Sequence, residues 1–258
     1  MRATPDSVTG AGETYWRGGP GHGRFRGLEN APARRLLRQL IGRGLIAQVA
    51  LAAFLFVPGT LRFWQGWLFL ATQLLTTICF CVYYYRRDPE FLARRLLRKE
   101  KTGAQKVIVF LLRYVAVLFY VVCGLDNRCG WSRTYLWPVP RWLSVLAVLL
   151  YAGSYALFIP IFNANRFAAS VVQVEAGQTV ADQGPYRWLR HPMYAVSLLV
   201  WLCLPLALGS TVALPAIAFI FPILVFRLLH EEGVLRRELA GYADYCRRTP
   251  WRLIPFVW

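Results

Sequence analysis

The sequence predicts an all-α fold: a polytopic membrane helical bundle of about six transmembrane helices, with a C-terminal cytoplasmic amphipathic helix. Three observations predict it. Hydrophobic residues make up 57% of the 258-residue chain and mean hydropathy is +0.39, which is more apolar than an ordinary soluble domain. The apolar residues come in long uncharged runs, most near the length a helix needs to cross hydrocarbon. The arginines flank those runs, where they act as topology signals and contacts for anionic headgroups.

The net charge of +17 invites a nucleic-acid reading. No zinc-finger spacing, RNP-like aromatic strand or soluble basic domain accompanies it. The expected partner is therefore the lipid bilayer, with no nucleic acid. The oligomeric state is not legible.

Taken in order, residues 1–30 hold little apolar material and include Gly18-Gly19-Pro20-Gly21-His22-Gly23. No strand precedes these glycines and no Lys-Ser/Thr follows, so they do not read as a phosphate loop. With the basic segment behind them they form a first region, 1–43, expected to begin as a disordered tail. No cleavable signal peptide is expected, and no Cys-a-a-X box marks the chain as a prenylation target.

A second region, 44–162, is expected to supply four transmembrane helices. The first span covers 44–61 and is closed by Pro58-Gly59. The second, 63–85, is framed by Trp64, Trp67 and Tyr83 to Tyr85 in the manner of interfacial belts. The third covers 107–125 with Arg113 inside it, close enough to Lys106 to snorkel. The fourth covers 142–162.

The third region, 163–258, is where chemistry is expected. Its apolar stretch 193–226 is too long for one span, and Gly209-Ser210 divides it into a tight helical hairpin. Pro205, Pro215 and Pro222 imply kinks, tolerated where neighbouring groups satisfy the freed carbonyls. Six spans put both termini on one side. The basic residues before span one, between spans two and three (Arg86 to Lys106) and after the hairpin (Arg227 to Arg252) then share one face. The opposite face keeps only Arg62, Arg128, Arg133 and Arg141. That bias places both termini, and the polar segments beside them, in the cytoplasm.

Six cysteines are scattered with no CxxC pair, so they read as small buried hydrophobes. With three histidines in all, one of them His22 in the tail, no metal site is expected. A cluster of His230 with the Glu pair lacks ligand spacing.

Polar residues collect in two places. In 227–238, Arg227 and Glu231 are four apart and share a helix face; the plain alternative is a surface salt bridge. His230 and Glu232 lie on adjoining faces. The helix is expected to continue through Val234, Leu235 and Leu239 and to stop at Gly241 as a C-cap. In 163–194, Gly184-Pro185 sets a turn and Pro192 suits the first turn of the next helix. His191 then sits at the N-cap, where the plain alternative is a histidine that only caps.

These motifs together resemble the isoprenylcysteine carboxyl methyltransferases, within a superfamily that includes phospholipid methyltransferases. The resemblance rests on Gly184-Pro185-Tyr186, Arg190-His191-Pro192-x-Tyr194, Arg227-x-x-x-Glu231-Glu232, Gly241-Tyr242-x-x-Tyr245 and Thr249-Pro250-Trp251-Arg252-Leu253-Ile254-Pro255. It covers roughly 163–258. It implies S-adenosylmethionine as cofactor, held by Gln178, Thr179, Val180 and Ala181, by Tyr186, by His191, Pro192, Met193 and Tyr194, and by Glu231. It implies Arg227 as the substrate-carboxylate residue, with Arg190 and Glu232 as further candidates. One departure stands out: members commonly carry Gly two residues after the motif Tyr, and this chain has Val196.

The chemistry implied suits these residue types. A sulfonium is a strong methyl donor and a carboxylate acceptor is already ionised, so alignment and exclusion of water are the main tasks. Arg227 can pair bidentately with a carboxylate, Glu231 can take an ammonium, and Tyr186, Trp188 and Tyr194 can offer aromatic faces. A lipid tail would enter from the bilayer and the cofactor from the cytoplasm, under a roof made by the C-terminal helix. The enzymatic rival is an NADPH-dependent membrane sterol or enone reductase, which has a similar Arg-His-Pro-x-Tyr motif; the closing Thr-Pro-x-Arg-Leu-Ile-Pro pattern favours methyl transfer. The non-enzymatic rival is a transporter or scaffold. A transporter places ionisable groups near the midplane, and a scaffold leaves the polar clusters without a purpose.

Overall fold

The computed structural model describes residues 31–89, 91–92, 103–165, 167 and 178–258. The expected disordered tail, the middle of the basic loop after the second span, and residues 166 and 168–177 lie outside the described residues.

All regular structure among the described residues is helical. The order is α1 (Ala31–Phe56), α2 (Trp64–Arg87), α3 (Gly103–Cys129), α4 (Trp131–Tyr135), α5 (Arg141–Ala164), a 3-10 turn (Gly184–Arg187), α6 (Pro192–Ala207), α7 (Ala216–Glu238) and α8 (Tyr242–Arg248). The chain divides into two compact units, Met1–Gly42 and Arg43–Trp258. The described part of the first is helical from Ala31; the second carries everything below.

Four described helices are long and apolar enough to cross a membrane: Arg38–Phe56, Trp64–Arg87, Lys106–Cys129 and Arg141–Ala164. Their flanks expose Phe110, Tyr114, Trp142, Leu149 and Leu150, as expected of surfaces solvated by hydrocarbon rather than water. The stretch 193–226 falls into two helices, α6 and α7, as its length predicts. Neither meets the same standard alone. α6 has 16 residues, and α7 turns charged from Arg227 onward.

Prolines set several boundaries. Pro140 is the N-cap of α5, and Pro192 opens α6 behind the N-cap His191. Pro205 and Pro222 lie inside helices, but Pro215 precedes α7 as its N-cap. It starts a helix where a kink was expected, because its missing N–H costs nothing at a helix start.

The helix α7 does not run to Gly241. It ends at Glu238, with Leu239 as an extended C-cap. Gly241, with φ +80°, instead serves as the N-cap of α8. The left-handed glycine is where expected, but it starts the next helix.

The main core joins Leu55, Phe69, Phe119, Cys123, Tyr151, Leu204 and Leu208, from five helices. A second cluster holds Tyr194, Ile220, Leu224, Leu228 and Leu253. Trp201 of α6 packs against both, with its ring edge-on to Phe119 at a centroid distance of 5.8 Å. A third cluster at the end of the bundle joins Leu239, Tyr242, Tyr245 and Cys246 to Val180 and Leu235.

Candidate active site

The two polar segments meet. The turn Gly184–Arg187 buries Tyr186, and Asn165 donates to the Tyr186 hydroxyl at 3.4 Å. The Tyr245 hydroxyl reaches over from α8 and donates to Tyr186 O at 2.7 Å. The chain beyond α8 then lies along the motif loop: Arg190 N donates to Trp251 O at 2.9 Å and His191 N to Arg252 O at 3.0 Å.

A cavity of about 390 Å³ opens between these segments. It is lined by Gln178, Thr179, Val180, Ala181, Tyr186, Arg190, His191, Met193, Tyr194, Arg227 and Glu231, all singled out from the sequence. Three other named residues lie elsewhere. Pro192 is buried at the first turn of α6, Glu232 sits behind the wall, and Trp188 is 69% exposed and does not line the cavity. Trp188 therefore offers no aromatic face to a ligand here. Val196, the departure from the usual glycine, is buried but lines no part of the cavity. Its extra bulk acts on helix packing and not on the cavity wall.

Tyr194 links the two charges of α7. Its hydroxyl donates to Glu231 Oε2 at 2.6 Å and accepts from Arg227 Nε at 3.1 Å. A neutral bridge between opposite charges fixes both side chains.

Glu232 is the hub of the wall. Its Oε1 takes Arg190 Nη1 at 2.9 Å and its Oε2 takes Arg252 Nε at 3.0 Å, with Arg236 at 3.9 Å. His191 Nε2 stands 3.5 Å from Oε1, close enough to act on the carboxylate but without the geometry of a hydrogen bond. Burial by itself raises the pKa of Glu232, but His191, Arg252 and Arg190 outweigh it and hold the carboxyl at about 2, below its usual value. Arg190 also donates to Thr249 O at 2.6 Å and to Pro250 O at 2.8 Å. Arg252 lies over the Trp258 ring at 5.3 Å. Arg190 and Glu232, first read as further candidates for ligand contact, thus share the work of tying the C-terminal segment to the motif loop.

His191 occupies the N-cap of α6 as expected, yet its side chain makes no capping bond. Its Nε2 is buried with no hydrogen-bond partner among the described residues, and so is the hydroxyl of Tyr242. Both residues line the cavity. A buried polar atom without a partner costs about 1–3 kcal/mol, so two of them on one wall mark a place where a polar ligand fits.

Sequence reasoning missed the rest of the lining. Val109 and Leu112 of α3, Trp201 of α6 and Leu224 of α7 add apolar lining, with Ser197 among them. Positions 194 to 201 on α6 span about 10 Å at 1.5 Å per residue, so the lining extends along that much of the helix. Nothing in the sequence separates these side chains from lipid-facing ones. Tyr242 and Tyr245 stood in a quoted motif without an assigned place. Among the described residues, no group of three or more His, Cys, Asp or Glu could hold a metal ion.

Over 137 residues the chain is 27% identical to the "Cobalt-zinc-cadmium resistance protein CzcN" of Cupriavidus metallidurans; that stretch is 53% of this chain and 59% of that protein. The chain thus spans about three-fifths of the length of the curated relative it matches. Residues 142–240, from the start of α5 to the turn before α8, match the family model of phospholipid methyltransferases, the membrane methyltransferase superfamily to which the sequence motifs pointed.

Proposed function

We propose that the chain is an integral membrane methyltransferase that transfers a methyl group from S-adenosylmethionine to a lipophilic acceptor. The acceptor class that suits the cavity best is a carboxylate, such as that of isoprenylcysteine or a similar amphiphile. The observation that carries the reading is the mixed lining of this cavity. Gln178 to Ala181, Tyr186, His191, Arg227 and Glu231 supply its polar side, and Leu112, Trp201 and Leu224 add apolar surface.

When bound, the cofactor supplies an electrophilic methyl group on a sulfonium. The protein's own work is binding and alignment. Glu231, held by Tyr194, is placed to take an ammonium. The rings of Tyr186 and Tyr194 flank the space a sulfonium or adenine would fill. Arg227, steadied by the same hydroxyl, is the cation on the lining that suits an anionic acceptor group. No general base is needed, because a carboxylate acceptor arrives ionised. Apolar walls exclude water and take the acceptor's tail.

In this reading α6 and α7 complete six spans, and the cavity opens to the cytoplasm with both termini. The basic residues near it, among them Arg236, Arg237, Arg247 and Arg248, support that sidedness. Metal resistance, in the name of the Cupriavidus protein, adds no ligand set to this proposal.

The test is a thermal-shift comparison of the purified protein with S-adenosylmethionine and with NADPH. Stabilisation by the first alone is expected; stabilisation by NADPH alone would transfer the cavity to reductase chemistry. Glu231→Gln is expected to weaken cofactor binding about tenfold or more, the worth of a charge-assisted bond. Arg227→Ala is expected chiefly to raise the KM for an anionic acceptor. Unchanged kinetics in both variants would remove the site assignment.

A further inference from the structure

We infer that the Tyr242 hydroxyl is a ligand-binding group: it donates a hydrogen bond to S-adenosylmethionine in the roof of the cavity. The inference rests on the cofactor reading above and adds a residue to it from a different element, α8.

The ring of Tyr242 is fixed. It packs with Leu239, Tyr245 and Cys246, with Val180 and Leu235 beside them, and its centroid lies 5.7 Å from that of Tyr245. The residue is only 4% exposed. Held this way, the hydroxyl has little freedom to turn toward water. It borders the cavity, and among the described residues no atom accepts its proton or donates to it.

Tyr245, one turn away on the same helix, makes the contrast. It is equally buried, and its hydroxyl donates to Tyr186 O at 2.7 Å and Leu189 O at 3.4 Å. One tyrosine of the pair is thus used by the fold, and the other is kept at a cost to the fold. A phenylalanine would pack the same cluster without the unpaired hydroxyl, and by that measure would be the more stable choice.

The hydroxyl is a donor at working pH. Burial pushes its pKa up, and the nearby Glu232 carboxylate pushes it further. A protonated phenol beside two glutamates suits an acceptor atom, which the cofactor carries on its ribose, its adenine and its carboxylate. Val180 packs against the same cluster, so this hydroxyl lies at the end of the cavity where Gln178 to Ala181 are assigned to the cofactor.

The test compares full-length wild type, Tyr242→Phe and Tyr245→Phe by thermal unfolding without ligand and by calorimetric titration with S-adenosylmethionine. Tyr242→Phe is expected to leave the unliganded Tm unchanged or higher and to weaken binding about tenfold, the worth of one hydrogen bond. Tyr245→Phe is expected to lower the unliganded Tm, since it strands the carbonyl of Tyr186. Equal affinity in wild type and Tyr242→Phe would overturn the inference and leave the cofactor reading standing. A drop in unliganded Tm for Tyr242→Phe matching that of Tyr245→Phe would also overturn it, by revealing a structural bond. A wild type that does not bind S-adenosylmethionine would overturn both.

Discussion

Two buried carboxylates sit in different polar clusters of the second unit, and they are held in opposite ways. Glu232 is surrounded by basic groups: Arg190, Arg252 and Arg236, with the His191 ring, lie within 4 Å. Asp126, near the end of α3, is held by Ser132, whose backbone amide donates to Oδ1 at 2.7 Å and whose hydroxyl donates to Oδ2. The same hydroxyl accepts from Thr211 N at 2.9 Å and Val212 N at 3.2 Å. That is its full hydrogen-bonding capacity, one donor and two acceptor positions. The clasp pins the connection between α6 and α7 to the α3–α4 corner, and only about 40 Å³ of space remains beside it. The Glu232 cluster instead borders the large cavity, where His191 Nε2 and the Tyr242 hydroxyl make no hydrogen bond among the described residues; beside the clasp the same holds only for Ser210 Oγ, which lines neither space. Saturation suits a joint, and spare capacity suits a binding site.

The largest expected effect breaks the comparison most directly. Glu232→Ala leaves Arg190, whose side chain is 8% exposed, without its carboxylate. Removing one partner from a buried ionic group costs about 3–5 kcal/mol. Asp126→Asn keeps the shape of the clasp and loses one charge-assisted contact, for about 1–3 kcal/mol. Denaturation of both variants in the same detergent reads the difference. If the asparagine substitution proved the more damaging, the two clusters would have been assigned the wrong roles.

A smaller effect follows from protons. Glu232 has a pKa of about 2 against an ordinary 4.5, so its folded value is depressed. Its contribution is then complete above about pH 4.5, shrinks as the pH falls, and is gone below about 2. The Tm of the wild type should therefore fall more steeply through that window than the Tm of Glu232→Gln. Parallel curves for the two proteins would mean that the carboxyl is not held by its cations.

Much of this was legible in the sequence. Four of the long apolar runs are helices long and apolar enough to cross a membrane, because hydrocarbon demands length and the absence of charge. His191 and Glu231 were expected to share a chamber, and both line the cavity. What escaped has a common cause. Glu231 and Glu232 are adjacent on a helix and so point about 100° apart, but no spacing tells which faces the cavity and which the C-terminal segment. The pairing of Arg190 with Trp251 joins residues far apart in sequence and leaves no periodic trace. Val109, Leu112 and Leu224 carry the same chemistry as side chains that face lipid. Gly241 was placed correctly as a left-handed residue and tied to the wrong helix, since a glycine after one helix and before another satisfies both patterns.

The smallest expected effect separates the two regions by their glycines. Gly241 has φ +80° and open surroundings, where an added Cβ would meet nothing nearer than Val180 Cγ2 at 4.0 Å. Gly209, near the Asp126 clasp, has φ +68°, and a Cβ there would lie 2.7 Å from Gln65 Nε2. Gln65 is itself buried and has little room to retreat. Gly241→Ala should then cost only the left-handed strain of an L-residue, about 1–2 kcal/mol. Gly209→Ala should cost that and the steric term as well. Unfolding midpoints under identical conditions give the order. Equal losses would mean that Gln65 yields freely, and that the packing around this turn is looser than the burial of Gln65 implies.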